Sequence, residues 1–143
     1  MRSISVLILF LIFGCSSSVS EESLDLLNGY WEIEEVIFPD GSTKDYNVNT
    51  SIDYILVEDK KGYRKKVQPK FNGMYNTSND ADLFSILERE GLFTISYTSE
   101  NNDGLVAQRS EELISLSENK FSVRNADGLT YNYKRFEPIN VEK

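Results

Sequence analysis

The chain holds no histidine and a single cysteine. Without imidazole there is no Ser-His-Asp or Cys-His nucleophile system, no histidine metal site, and no side chain that titrates near neutral pH unaided. Ser117-Glu118-Asn119-Lys120 has the spacing of a Ser-x-x-Lys pair. That pair needs a helical turn to bring hydroxyl and amine together, and this segment reads as a hairpin instead. Glu34-Glu35 and Glu111-Glu112 are adjacent acids inside extended runs, so each pair divides its carboxylates between two faces. Neither pair alone makes a two-carboxylate hydrolase site, although one acid from each could meet across a barrel. Asn79-Asp80-Ala81-Asp82 and Asn101-Asn102-Asp103-Gly104 are rich in oxygen. Both lack the spaced ligands and closing glutamate of a calcium loop, and turn chemistry accounts for them. The expectation is a protein that is not an enzyme, with no metal and no cofactor.

Charge narrows the partners. The chain carries −8 at pH 7, which excludes nucleic acid, whose binding depends on neutralising phosphates. Against that acidic background Lys60, Lys61, Arg64, Lys65, Lys66 and Lys70 crowd into one short run. On a strand Arg64 and Lys66 face one way, and Lys65 faces the other beside Val67. Two readings stand: a solvated edge that discourages strand pairing, or a surface for an anionic partner, either lipid headgroups or a carboxylate-bearing ligand guided to a barrel mouth.

The elements that must position these residues are short and extended. Runs with strand character cover 30–38, 52–58, 63–68 continuing to 71–77, 83–88, 92–98, 105–116, 120–125 and 129–136. Between them lie Asp40-Gly41, Lys61-Gly62, Asn79-Asp80, Glu90-Gly91, Asp103-Gly104, Glu118-Asn119 and Asp127-Gly128, pairs suited to tight hairpins that need positive φ. Eight strands at this spacing predict an all-β, antiparallel, up-and-down barrel, closed on itself so that no edge is exposed. Ser23-Leu24-Asp25-Leu26-Leu27-Asn28 predicts a short helical turn before the first strand, capped by Ser23, ended by Gly29, and placed to plug one barrel end. Pro69 cannot donate to a ladder, so a bend or bulge is expected there.

Alternation from Trp31 puts Ile33, Glu35 and Ile37 on its face, and alternation from Arg135 adds Tyr133, Tyr131 and Leu129. Read as inward, these faces make Ile33, Glu35, Tyr131 and Tyr133 candidate ligand-lining residues, joined by Tyr54, Lys65 and Val67. A shift in register would instead put Glu35 outside. An eight-strand barrel has room for side chains or one small ligand.

The N-terminus is a separate signal. Arg2, an apolar stretch over 4–13 broken only by Ser5, and Gly14-Cys15 have the form of a signal peptide over 1–14, too short to cross a bilayer as a helix. Ile12-Phe13-Gly14-Cys15 resembles the lipobox of bacterial lipoproteins, with Phe13 bulkier than the usual residue. That resemblance implies a diacylglycerol on the Cys15 sulfur and an acyl chain on its amine, a stable two-signal anchor. It also implies that the thiol is not free for catalysis or zinc. The small and acidic residues of 15–22 then form a flexible tether, and 23–143 a single domain. The implied place is the cell envelope, at the outer membrane.

Leu27-Asn28-Gly29-Tyr30-Trp31 resembles the Gly-x-Trp signature that opens the lipocalin fold, and Tyr131-Asn132-Tyr133-Lys134-Arg135 resembles the last-strand segment whose arginine lies over that tryptophan. The chain is also similar to the small lipocalin-like lipoproteins of the Bacteroidetes, through Asp53-Tyr54-Ile55, the run from Gly62 to Pro69, Gly73-Met74-Tyr75 and Tyr131 to Phe136. The resemblance implies Gly29, Trp31 and Arg135 as structural signature residues. It leaves two functions open: binding a small apolar or amphipathic ligand inside the barrel, or meeting another envelope protein with a filled barrel as an inhibitor or assembly module. The chain is short for a lipocalin, which bears against a roomy cavity.

Overall fold

The computed structural model describes residues 19–100 and 106–138. A 3-10 helical segment, Glu21–Leu27, precedes ten strands: β1 Gly29–Ile37, β2 Thr43–Asp45, β3 Ile52–Glu58, β4 Lys61–Pro69, β5 Tyr75–Thr77, β6 Asp82–Arg89, β7 Leu92–Glu100, β8 Val106–Leu116, β9 Lys120–Asn125 and β10 Thr130–Arg135. Every pairing is antiparallel, and β10 pairs with β1 to close the sheet. Eight strands make the barrel, as the sequence predicts. The two short ones extend hairpins: β3 pairs with the first part of β1 and β2 with the last, while β6 and β5 share β4 in the same way. The single extended run expected over 63–77 is therefore two strands. Pro69 ends β4, and the turn 70–74 is closed by the Lys70 amide donating to the Met74 carbonyl at 2.8 Å.

Turn chemistry departs from expectation between β3 and β4. The two central turn residues are Asp59 and Lys60, both at positive φ (50° and 61°), whereas Gly62 pairs inside β4. Gly62 is there because nothing larger fits: a Cβ would lie 2.0 Å from the Leu56 carbonyl oxygen and 2.9 Å from Phe84 Cζ. Ser117-Glu118-Asn119-Lys120 is a hairpin as read. The Ser117 hydroxyl donates to the Lys120 carbonyl and accepts its amide, so it makes no pair with the amine.

The helical segment begins earlier than predicted. Its cap is Ser20, and Ser23 Oγ accepts the Ser20 amide at 3.1 Å and donates to its carbonyl at 2.7 Å. Glu21 and Glu22, expected in the tether, lie in the helix, and Val19 already packs against the core. Leu24 and Leu27 are buried among Trp31, Val57, Leu116 and Phe121. This end of the barrel is thus packed with apolar side chains under the helix. Burial of that size is the main stabilising term, roughly 1.5–3 kcal/mol for each fully buried large aliphatic or aromatic side chain. Trp31 is fully buried, donates its indole N–H to the Leu27 carbonyl at 2.8 Å, and meets Phe121 edge-on at 4.7 Å.

Two bulges set which residues look inward. β1 gains an extra residue at Glu34, between Ile33 and Glu35, and β8 gains one at Ile114, between Leu113 and Ser115. After each bulge the alternation reverses, which is why Val36 and Leu116 are buried.

Candidate functional site at the barrel mouth

Opposite the helix the interior changes character. Asp53, Arg64 and Glu111 are the buried charged residues among those described, at 2%, 8% and 8% exposure. They come from β3, β4 and β8, and they line a cavity of about 500 Å³ that opens at this end. Arg64 Nη2 donates to Asp53 Oδ2 at 2.8 Å and to the Tyr133 hydroxyl at 2.7 Å. Its Nη1 donates to the Tyr97 hydroxyl at 3.2 Å and lies 3.6 Å from Glu111 Oε2. The Tyr97 hydroxyl donates onward to Glu111 Oε2 at 3.3 Å. The guanidinium also sits over the Tyr133 ring, 4.9 Å from its centre.

Lys66 closes the network from the rim. Its Nζ is 2.7 Å from Asp53 Oδ1, although its side chain is 67% exposed and that of Asp53 only 3%. At that distance the ammonium meets the oxygen as a charge-assisted pair, and among the described residues no other donor reaches Oδ1.

Electrostatics hold these groups in one charge state. Burial alone would raise the Asp53 carboxyl, but Arg64 and then Lys66 outweigh it and hold it below the usual carboxylate range. Burial would likewise lower Arg64, yet Tyr133, Asp53 and Tyr97 keep it firmly protonated. Burial pushes the Tyr133 hydroxyl up to about 12, only partly offset by Arg64, and raises Tyr97 for the same reason. The Asp53 carboxylate and the Arg64 guanidinium are therefore fixed as a buried ion pair, with Glu111 beside them and Lys66 reaching in from the exposed rim. Such an arrangement is weak evidence for stability, because desolvation takes back most of the Coulomb gain. It is better evidence for a site.

Several residues expected to line the barrel do not. Glu35 follows the bulge, so its carboxylate accepts from Asn132 Nδ2 at 2.8 Å, and Asn132 in turn bonds Ser122. These lie on the strand faces opposite Tyr131, Tyr133, Phe121 and Val123, which point in. Tyr54 is on the outer wall, 4.8 Å from Tyr30 and 6.0 Å from Tyr63. Lys65 touches the rim of the cavity but holds its ammonium 5.8 Å over the Tyr63 ring. Val67 is buried outside the main core cluster and pairs with Ile52. Ile33 packs against the core, and Tyr131 and Tyr133 do line the cavity. The basic run is neither one patch nor an edge: β4 lies between β3 and β6, Arg64 is buried, and Lys60 pairs with Glu21 at 3.0 Å. The acids Glu34 and Glu111 never meet, since Glu34 pairs with Lys120 outside.

The signature residues converge at the other end. The Arg135 guanidinium lies 3.8 Å over the Trp31 ring. It also donates to the carbonyls of Leu26, Asn28 and Glu118 at 2.7–3.0 Å. Gly29, at φ +125°, makes room for it, since a Cβ there would stand 2.6 Å from Arg135 Nη1. Cys15 lies outside the described residues, as does Asn101-Asn102-Asp103-Gly104. Among the described residues no three acidic, cysteine or histidine side chains converge to hold a metal.

Asp53 had no site role in the sequence reading, and Arg64 entered it only as a member of the basic run. The signal was present, since an acid interrupts the apolar face Asp53, Ile55, Val57 of β3. Arg64 and Lys66 share a face opposite the one taken as inward.

No family model matches the chain, and no curated protein matches it. Among solved structures it is similar to a lipocalin-like protein from Bacteroides uniformis, at 12% identity and a TM-score of 0.46 over 78% of this chain and 99% of that one. It is also similar to an uncharacterized protein from Bacteroides eggerthii, at 13% identity and a TM-score of 0.47 over 77% and 99%. The fold rests on the strand pairing itself: a closed eight-strand antiparallel up-and-down barrel.

Proposed function

We propose that this protein is a lipid-anchored envelope protein of bacteria, held to the outer membrane through Cys15, whose barrel binds a small polar or amphipathic molecule at its mouth. The observation that carries the binding reading is the division of the interior. One half is packed around Trp31 and Phe121 under the helix, and the other is a charged cavity of about 500 Å³, within the range of small-molecule sites. A wholly apolar ligand is disfavoured, because it would desolvate Arg64 and Asp53 without replacing any hydrogen bond. The role is binding and not catalysis.

The anchor rests on the signal-like stretch before Cys15 and on the lipobox resemblance. Mass spectrometry of protein extracted from bacterial membranes tests it: a mature chain starting at an acylated Cys15 is expected, and a soluble, unacylated product would overturn the anchor. Native mass spectrometry of the same material tests binding. An adduct displaced by mutating Arg64 is expected, and a bare mass after gentle extraction would favour the second reading.

That second reading is an interaction module. It draws on Phe71, 93% exposed, and Met74, 57% exposed, at the β4–β5 turn, with Leu83 and Leu56 along the outer wall at 61% and 40%. These are two separate exposed apolar pairs, one at the turn and one beside Tyr63, and either suits a protein partner.

A further inference from the structure

We infer that the mouth receives a primary ammonium group, and that Lys66 stands in for it while the site is empty. The inference rests on the reading of the mouth as a binding site and gives that site its ligand class.

Charge accounting comes first. Asp53 and Glu111 place two carboxylates in the buried site against the single guanidinium of Arg64. Balance is reached only when Lys66 reaches down from the rim. Geometry comes second. The Lys66 side chain is 67% exposed, whereas the Asp53 oxygen that it meets is buried and has no other donor among the described residues. A buried acceptor stripped of its donor is costly, so this oxygen calls for an ammonium whether Lys66 or a ligand supplies it. A ligand ammonium can take the place of Lys66 Nζ, and the lysine then turns out into water, where most of its side chain already lies.

The same groups discriminate between kinds of cation. A quaternary ammonium has no N–H to give Asp53 Oδ1 and relies on open aromatic faces. The two tyrosines of the network each already carry a guanidinium over the ring, Arg64 over Tyr133 at 4.9 Å and Arg109 over Tyr97 at 4.2 Å. Once displaced, Lys66 is free to meet an acidic group on the same ligand. Arg109 stands at the same rim, over the Tyr97 ring and 3.4 Å from the exposed Asp82. The class that fits best is a small zwitterion with a primary ammonium and a phosphate or carboxylate.

The test uses the full chain in detergent, with the Arg64 side-chain NMR resonance reporting the mouth and calorimetry reporting affinity. Probes are ethanolamine, choline, phosphoethanolamine and inorganic phosphate. Ethanolamine is expected to shift the Arg64 resonance and choline is not, with phosphoethanolamine the tightest of the four. Because Lys66 is exposed, Lys66→Met keeps the fold. It is expected to tighten ethanolamine roughly three- to tenfold, by removing the competing ammonium, and to shrink the advantage of phosphoethanolamine. Equal binding of ethanolamine and choline, or no effect of Lys66→Met on ethanolamine, overturns the inference. If phosphate shifts Arg64 and ethanolamine does not, the mouth stands as a site and only the ammonium assignment falls. If no probe shifts Arg64, the reading of the mouth falls with it.

Discussion

Replacing Arg64 with methionine keeps the length and apolar stem of the side chain but removes the only buried cation among the described residues. Asp53 and Glu111, at 2% and 8% exposure, are then left with Lys66 alone, which reaches Asp53 from the rim. Removing one partner of a buried pair costs about 3–5 kcal/mol, because the remaining charge is neither solvated nor matched. Against a total stability of roughly 5–15 kcal/mol for a domain, that is a large fraction. The penalty carries a pH signature. In the native chain the folded Asp53 pKa lies below its unfolded value near 3.8, so its stabilisation is complete above that value and is lost as pH falls through the folded pKa. In Arg64→Met burial is no longer outweighed, and the folded carboxyl pKa rises above the unfolded one. The variant therefore recovers as pH falls and the acid takes up a proton. Urea unfolding of both proteins is expected to show a gap of about 3–5 kcal/mol at neutral pH that narrows steadily towards the unfolded pKa. Adding Asp53→Asn to the variant should return part of the loss at neutral pH, since the stranded charge is then gone. A gap below about 1 kcal/mol, or one that does not change with pH, would refute the claim that these charges depend on one another.

Packing decides the outcome at two glycines and at Arg135. Gly62→Ala should cost more than about 3 kcal/mol in urea unfolding or prevent folding, because its Cβ would meet a backbone carbonyl at 2.0 Å. Gly91→Ala, where the Cβ meets open space and only the positive φ is strained, should cost about 1–2 kcal/mol. Arg135→Ala should cost about 2–3 kcal/mol, since the charged hydrogen bonds to three carbonyls and the stacking on Trp31 go together. Arg135→Lys should return less than half of that in a thermal melt, because an ammonium cannot reproduce the planar fork.

Much of the barrel was legible because its rules are local. Alternating apolar residues and Glu90-Gly91, Glu118-Asn119 and Asp127-Gly128 place strand after strand, and the Trp31–Arg135 contact shows the ends of the sheet meeting. The errors have local causes as well. The turn at Asp59-Lys60 joins an aspartate, which tolerates positive φ, to a lysine, which does not favour it, so the eye goes to Gly62, which is a glycine for lack of space. A bulge has no sequence mark: the extra residue Glu34 sends Glu35 outward although strict alternation puts it beside Ile33. The mouth was missed for a different reason. A lysine-rich strand reads as surface, and nothing within β4 says that Arg64 is swallowed while Lys65, next to it, is not. Only the acids of β3 and β8, one on the neighbouring hairpin strand and the other from far along the chain, make a buried guanidinium tolerable.

The charged knot at the mouth has a further bearing, on assembly of the barrel. Its buried members come from β3, β4, β7, β8 and β10, one from each. Sliding any of these strands by a single position would turn its contributor to the outside, abandoning ionised groups in the interior. A mispaired barrel of the same apolar content would thus be penalised far more than by lost packing. The knot works as a proofreader of the fold, rejecting wrong alignments even if it adds little to the strength of the right one.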